Sequence, residues 1–221
     1  TIHYDHAQIQ LFNIPVFYLP YFSHPDPSVK KRSGFLMPTI QTDKQLGETF
    51  SIPIFINLNS NRDITFTPNI QTTGNNFYNL DYRHLNDSFN LEINSSIDDN
   101  DDNTGTSNHL FFESEIFNSY GNLNTYVKTS NNDTYMRKNK INKLTVLKSG
   151  IEFDREVNDT FFSIETLGYK HLTTENQQWE YLYPNIVYDI YNIDNNIFDG
   201  NVSLNNKLSF SKKLNENYVS L

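Results

Sequence analysis

The residue types in this sequence that could bind a ligand or a metal ion form two charged runs. The basic run Lys30-Lys31-Arg32 could attract phosphate groups or anionic lipid headgroups, as cations do at membrane surfaces. The alternative, which we favour, is a membrane-interface or turn cluster with no specific ligand, since three charges are few. The acidic run from Asp98 to Asp102 offers carboxylate oxygens of the kind that bind Ca²⁺. No acidic residue stands at the twelfth position, where an EF-hand needs a glutamate, so a solvated loop is favoured.

Patterns typical of catalysis are absent from the sequence. It contains no cysteine, which removes disulfides, thiolate metal sites and cysteine nucleophiles, and its six histidines are scattered. No His-Glu-x-x-His, Gly-x-Ser-x-Gly, phosphate-cradling glycine loop or dinucleotide fingerprint occurs. A net charge of -9 argues against a nucleic-acid partner. The sequence therefore predicts a protein that is not an enzyme, with no metal site and no cofactor.

Prolines are the second feature of interest, because proline has no N–H and cannot complete a strand ladder. Pro38 and Pro53 lie among strand-like residues, where proline is confined to edges, strand starts and bulges. Pro15 and Pro20 flank an apolar strip that is either a rigid hinge beside a path for acyl chains or a packed linker. The residues of this strip are Phe17, Tyr18, Leu19, Tyr21 and Phe22.

The elements that position these residues are predicted to be strands. Apolar and polar residues alternate along 63–71 and 89–94, which is the period of a strand with two unlike faces. We expect about twelve such segments of about ten residues, longer than is usual in globular proteins. Strands of this length are long enough to cross a bilayer at a tilt, and no run of 18 apolar residues indicates a membrane helix. No window is predicted to be helical, including 135–147.

A series of motifs, in this order, resembles the LptD family of lipopolysaccharide (LPS) assembly proteins, where a periplasmic jelly roll meets an outer-membrane barrel. The motifs are Ile14-Pro15-Val16-Phe17-Tyr18-Leu19-Pro20-Tyr21-Phe22, Ser33-Gly34-Phe35-Leu36-Met37-Pro38, Ile52-Pro53-Ile54-Phe55-Ile56-Asn57, Asn61-Arg62-Asp63 and Asp81-Tyr82-Arg83. The resemblance continues more weakly at Leu147-Lys148-Ser149-Gly150 and Tyr183-Pro184-Asn185-Ile186.

The resemblance implies an all-β fold: part of an antiparallel transmembrane β-barrel, preceded by the last strand of a β-jelly roll. Residues 1–14 would end the jelly roll, 15–32 would be a connector, and 33–221 would supply about eleven or twelve barrel strands. The chain opens at Thr1 without a signal stretch and ends on strand-like residues. We therefore expect a segment of a longer protein, with its barrel in the Gram-negative outer membrane and its first residues in the periplasm.

The resemblance also implies a function and partners. Members of the family insert LPS into the outer leaflet through a lateral gate between the first and last barrel strands. Pro38 and Pro53 match the prolines at this gate. The strip from Pro15 to Phe22 would lie near the acyl chains, and Lys30, Lys31 and Arg32 near lipid A phosphates. Expected partners are LPS, the plug lipoprotein LptE, the periplasmic bridge LptA through the jelly roll, and outer-membrane lipids.

Two other functions remain open from the residues alone. One is a different outer-membrane barrel, such as a porin or receptor, although a porin has no jelly roll before it. The other is a soluble β-sandwich that binds carbohydrate, which predicts two sheets packed face to face and shorter strands.

Overall fold

A computed structural model describes residues 2–11, 14–24, 31–44, 47–99, 105–172, 179–193, 202–213 and 216–220. These residues form two antiparallel sheets, and the predicted all-β class is confirmed. The small sheet pairs β1 (Ile2–Leu11) with β2 (Ile14–His24). The large sheet begins with β3 (Gly34–Phe35), β4 (Thr39–Asp43), β5 (Gly47–Ser51), β6 (Ile54–Asn59), β7 (Arg62–Gln71), β8 (Phe77–Asn86) and β9 (Phe89–Asp98). It continues with β10 (Asn108–Asn118), β11 (Gly121–Ser130), β12 (Val146–Val157), β13 (Thr160–His171), β14 (Trp179–Ile193), β15 (Val202–Lys213) and β16 (Glu216–Ser220).

The large sheet is a meander in which each strand pairs with its neighbours in the chain. Its fourteen described strands form twelve rows, because β3 continues into β4 and β5 into β6 across short breaks. The sequence predicts eleven or twelve strands from residue 33 onward. The short pieces at residues 34–51 are not apparent there, since two to five residues cannot show a period. In the described residues β16 and the β3/β4 row are two edges, and no closed barrel is found.

Residues 14–24 are a strand, and most of them fall within the connector that the family resemblance implies for residues 15–32. They form β2, which pairs along β1 from Leu11↔Ile14 to Ile2↔His24. The strip of prolines and aromatics has apolar residues on successive positions, so it lacks the alternation that identifies a strand. The ladder shifts register between Ile9 and Gln10, where Gln10 pairs with Pro15. The division of the chain into jelly roll, connector and barrel stays a prediction.

The two faces of the large sheet differ in polarity and in exposure. On β7 to β10 one face carries buried polar residues, which include Asp63, Asn69, Gln71, Ser96 and His109. The opposite face carries exposed apolar residues, which include Phe66, Ile70, Leu80, Ile97 and Leu110. The alternation predicted for 63–71 and 89–94 is therefore present, with the apolar side chains on the exposed face. Within the described residues, no helix is both long enough and apolar enough to span a membrane.

One helical turn, α1 (Tyr135–Lys138), lies between β11 and β12 and contradicts the prediction that no helix occurs. Asn132 Oδ1 accepts the backbone N–H groups of Thr134 and Tyr135 at 3.0 and 3.2 Å. Tyr135 and Met136 are buried with Leu147 and Leu172 in one hydrophobic cluster. A single turn is unstable alone, so tertiary packing rather than propensity maintains it. The local sequence could not show this tertiary packing around α1.

The segment 131–145 that carries α1 fills a place where two strands separate. The β11–β12 ladder extends only from Asn122↔Asp154 to Tyr126↔Gly150. Beyond it, Ser149 Oγ accepts the backbone N–H of Lys128 at 2.9 Å, so a side chain replaces a ladder bond. The cluster around Met136 lies next to this opening, because β12 supplies Leu147 to it.

The turn between β10 and β11 depends on Gly121, whose φ is 143°. A Cβ at this position would lie 2.5 Å from the carbonyl oxygen of Asp154 and 2.6 Å from the Phe153 ring. We expect Gly121→Ala to lower the free energy of unfolding by about 2 kcal/mol, because the strained φ and the backbone contact act together. Urea unfolding followed by Trp179 fluorescence measures this. Gly34→Ala is the control, since nothing lies within 4 Å of its Cβ position. Equal stability of the two variants would contradict the prediction.

Candidate functional site

The most unusual part of the large sheet is a break across its first two rows. Gly34↔Phe55 and Phe35↔Ile54 pair on one side of it, and Thr39↔Ser51 pairs on the other. Between them, residues 36–38 oppose residues 52–53, so three residues face two, as in a bulge. Pro38 and Pro53 are the last residues of these two segments. We call residues 36–38 and 52–53 the proline break.

Few backbone hydrogen bonds cross the proline break. The N–H of Leu36 donates to the carbonyl of Pro53 at 2.8 Å, and the N–H of Ile52 donates to the carbonyl of Pro68 at 3.2 Å. Neither Pro38 nor Pro53 has an N–H to add to the ladder. The sequence predicted these two residues as candidates from this missing donor. The structure places them on adjacent rows at opposite ends of the break, with Pro53 next to the Phe35↔Ile54 pair and Pro38 next to the Thr39↔Ser51 pair.

The third row is continuous where the first two are broken. Pro68 pairs with Tyr78, and the β7–β8 register runs without a shift from Arg62↔His84 to Asn69↔Phe77. The break is therefore confined to β3–β6, the hairpin at the edge of the sheet. We call residues 34–59 the edge hairpin.

Asp63 attaches the chain before the edge hairpin to the continuous part of the sheet. Its side chain is only 4% exposed, and its two oxygens accept from Lys31 Nζ and Arg83 Nε, each at 2.9 Å. Ser33 Oγ accepts the backbone N–H of Asn57 at 2.8 Å. Residues 31–33 are thus held against β6, β7 and β8. A carboxylate that is shielded from water in this way is stable only when cations and donors surround it.

The basic run predicted to contact phosphates is placed as follows. Lys31 has a carboxylate partner inside the protein, Arg32 is exposed, and Lys30 lies outside the described residues.

Of the acidic run, Asp98 Oδ1 accepts the N–H of Ser107 at 2.6 Å, whereas Asp101 and Asp102 lie outside the described residues. Sequence reasoning gave Asp63 no role of its own, although it ends the motif Asn61-Arg62-Asp63, because its position fits the regular alternation of β7.

The aromatic strip is described mainly through its backbone. Tyr18, Pro20 and Tyr21 are exposed on β2, and Tyr18 Oη is hydrogen-bonded to His6 Nδ1 at 2.5 Å. The side chains of Pro15, Phe17, Leu19 and Phe22 lie outside the described part, so their predicted role beside acyl chains stays a prediction.

A serine–histidine pair on the polar face resembles a nucleophile with its base. Asp81 accepts from Asn94 Nδ2, so the Asn94 oxygen faces His109 and accepts from its Nε2 at 2.7 Å. The neutral ring then accepts the hydroxyl of Ser96 at Nδ1, 2.5 Å away, and Ser96 accepts from Tyr135 Oη at 2.9 Å.

This network has a structural role, because the Tyr135 ring covers it. Ser96 and His109 are buried, so no substrate carbonyl can approach the hydroxyl. Burial also raises the pKa of Tyr135 to about 12, so this phenol remains a hydrogen-bond donor at neutral pH. Among the described residues, no three His, Asp or Glu side chains converge in a way that could hold a metal ion.

The segment 131–145 also reaches the edge hairpin. Lys140 Nζ lies 3.0 Å from Asp43 Oδ2 at the end of β4, and Gln71 Nε2 donates to Asn139 Oδ1 at 3.2 Å. A polar cavity of about 110 Å³ lies beside these contacts, lined by Thr49, Ser51 and Asn79 among others. These residues were not singled out in the sequence, because the contact joins elements far apart in the chain.

Comparison with known proteins gives partial matches to one kind of protein. The LPS-assembly protein LptD of Shewanella oneidensis is 38% identical over 79 residues, which are 36% of this chain and 10% of the relative. LptD of Psychrobacter cryohalolentis is 36% identical over 80 residues, or 36% of this chain and 8% of the relative. LptD of Idiomarina loihiensis is 34% identical over 80 residues, 36% of this chain and 10% of its own length. No protein-family model matches the chain.

Asp63 gives the first prediction for this site. Asp63→Asn removes the charge that Lys31 and Arg83 share, and we expect a loss of about 1.5–3 kcal/mol in the free energy of unfolding, typical of hydrogen bonds to charged groups. Residues 31–33 should also loosen, so trypsin should cleave after Arg32 faster than in the unaltered chain. Asp87→Asn, at an exposed turn, is the control. Unchanged cleavage at Arg32 would show that Asp63 does not hold this segment.

The two methionines provide a matched pair for the cluster under α1. Met136 is 1% exposed and Met37 is 82% exposed. Met136→Ala should lower the free energy of unfolding by about 2–5 kcal/mol, because it leaves a cavity, whereas Met37→Ala should have little effect. Urea unfolding measures both. A Met136→Ala variant as stable as Met37→Ala would mean that α1 is not packed as described.

Proposed function

We propose that this chain is part of an outer-membrane LPS-assembly translocon. The proposal is supported by identities of 34–38% with LptD proteins over about a third of the chain. Those matches cover at most 10% of these relatives, so the activity of the whole protein is inferred here. In this proposal the chain moves an amphipathic glycolipid and carries out no bond chemistry.

The unlike faces of the large sheet fit a membrane wall. A β-structure in the outer membrane presents apolar side chains to lipid and polar side chains to an aqueous interior. The exposed face of β7 to β10 carries residues such as Phe66, Leu80 and Leu110, and the opposite face carries buried polar groups. The soluble β-sandwich predicts the reverse, with apolar faces packed together. The arrangement therefore favours the membrane proposal over the sandwich.

The observation that carries the mechanism is the proline break. In hydrocarbon, each unpaired backbone polar group costs several kcal/mol, so a continuous ladder resists opening. Pro38 and Pro53 remove two donors from the edge hairpin, one at each end of the break, where three residues lie opposite two. An edge with fewer ladder bonds separates more readily from its neighbour. We propose that this edge is one side of a lateral gate, through which the acyl chains leave while the sugars stay on the polar side.

The remaining parts of the proposal follow from the family resemblance. LptE would fill the polar interior, and LptA would deliver LPS through a periplasmic jelly roll that ends near β1. The strip from Pro15 to Phe22 would lie beside the acyl chains. Lys30 and Arg32 would attract lipid A phosphates, with Lys31 shared between this cluster and Asp63.

The prolines give the test of this function. Pro38→Ala with Pro53→Ala restores two N–H donors, each worth about 1 kcal/mol once bonded, so the open population should fall about fivefold per substitution. We expect a marked loss of LPS at the surface of cells whose own LptD is depleted. Pro184→Ala is the control, because Pro184 also lies at a register shift, in β14, far from the edge hairpin. Normal LPS export by the double variant, when it is as abundant as the unaltered protein, would contradict the gate proposal.

A further inference from the structure

The segment 131–145 is fixed in the sheet at the end that carries Tyr135 and Met136, and Lys140 in its middle touches the edge hairpin. At the fixed end, Tyr135 and Met136 are buried with Leu147 and Leu172. Asn131 Nδ2 also donates to the carbonyl of Thr106 at 2.8 Å. Apolar burial with satisfied backbone groups makes this end part of the core, so it moves with β9 to β13.

Lys140 and its neighbour Asn139 make polar contacts here, whereas Ile141 packs against the cluster around Met136. Lys140 Nζ lies 3.0 Å from Asp43 Oδ2, with the two side chains 45% and 30% exposed, and Asn139 accepts from Gln71 at 3.2 Å. Exposed ion pairs of this kind are weak and exchange readily with water. Asp43 ends β4, the strand that follows Pro38 at the edge of the sheet. The same segment is therefore firmly fixed at Tyr135 and Met136 and weakly bound to the edge hairpin at Lys140.

Two details of the structure set Lys140 apart from an incidental surface pair. Its φ is 57°, in the left-handed region that a lysine rarely occupies, so its surroundings determine its direction. The cavity beside it contains the side chains of Gln71 and Asn79, and the oxygens Gln71 Oε1 and Asn79 Oδ1 are buried without a hydrogen-bond partner among the described residues. Such groups require water or another donor. The contact thus lies against a polar, wettable surface, where it can break at low cost.

We propose that Lys140 is a positioning residue that holds the edge hairpin closed through Asp43 and releases it when the sheet edge opens. The inference rests on the proposed function, because it assigns a regulatory contact to the same edge. The proline break weakens the middle of the edge hairpin. Asp63 and Lys31 hold the segment that leads into it, and Lys140 holds its far end at Asp43. Opening of the sheet edge at Asp43 requires the exposed ion pair between Lys140 and Asp43 to separate.

Hydrogen exchange tests the contact without reference to transport. In the purified full chain, Lys140→Ala should speed backbone exchange in residues 39–51 about two- to fivefold, the range expected for loss of an exposed ion pair. Lys143→Ala is the control, since Lys143 is exposed on the same segment. The exchanged pair Asp43→Lys with Lys140→Asp should restore slow exchange. Equal exchange in the Lys140 and Lys143 variants, or no rescue by the exchanged pair, would overturn the inference.

Cross-linking tests the release step. These 221 residues contain no cysteine, so cysteines at positions 43 and 140 can be joined by a bis-maleimide linker that a reductant cleaves. In LptD-depleted cells, the linked protein should stop exporting LPS and regain export on reduction. The control places the linker at Glu113 and Lys128, an ion pair at 2.7 Å between β10 and β11, and should leave export unchanged.

The outcomes separate the two proposals. Undiminished export with positions 43 and 140 linked, or failure of that pair to link, would overturn the role of Lys140 and leave the proposed function standing. Absence of export by the unlinked, unaltered protein would instead overturn the proposed function, and hydrogen exchange would still decide whether the contact exists.

Discussion

The pairing of backbone hydrogen-bond groups is the constraint on which this structure depends. A sheet is continuous only where each N–H meets a carbonyl on the next strand. The strands from β7 to β11, and the pair β12–β13, satisfy this over long registers. Proline lacks the donor, and Pro38 and Pro53 lie where the first two rows lose their ladder. The contacts of Asp63 and Lys140 acquire their importance from that loss, because they hold the edge hairpin where the ladder does not.

The division of the sheet into two unlike faces organises the remaining contacts. Polar side chains such as Ser96 and Gln71 on one face are buried where the segment 131–145 lies against them, and each needs a partner there. The chain from Asp81 through Asn94, His109 and Ser96 to Tyr135 supplies such partners in a fixed order. Apolar side chains on the other face are exposed, which is costly in water and favourable in lipid. The same alternation thus supports both the covered polar face and the proposed membrane surface.

Most of the strands could be predicted, and the exceptions share a cause. Strands β7 and β9 follow from alternation, because side chains on a strand point to opposite faces and each face has one environment. Strand β2 does not show this alternation, and the family resemblance alone placed most of it in a connector. The helix α1 was missed because packing around Met136, rather than its own sequence, stabilises it. In each case the deciding contact lies outside the local window.

The sequence by itself determined the all-β class, the two faces and the positions where a backbone donor is missing, since each of these is a property of single residues or of their spacing. Only the tertiary structure decided which residues face one another. It placed Pro38 and Pro53 in the same break on adjacent rows, gave Lys31 a partner in Asp63, and brought Lys140 to Asp43. The physical reason is that strand register and side-chain pairing depend on contacts between distant parts of the chain, and local sequence carries no record of them.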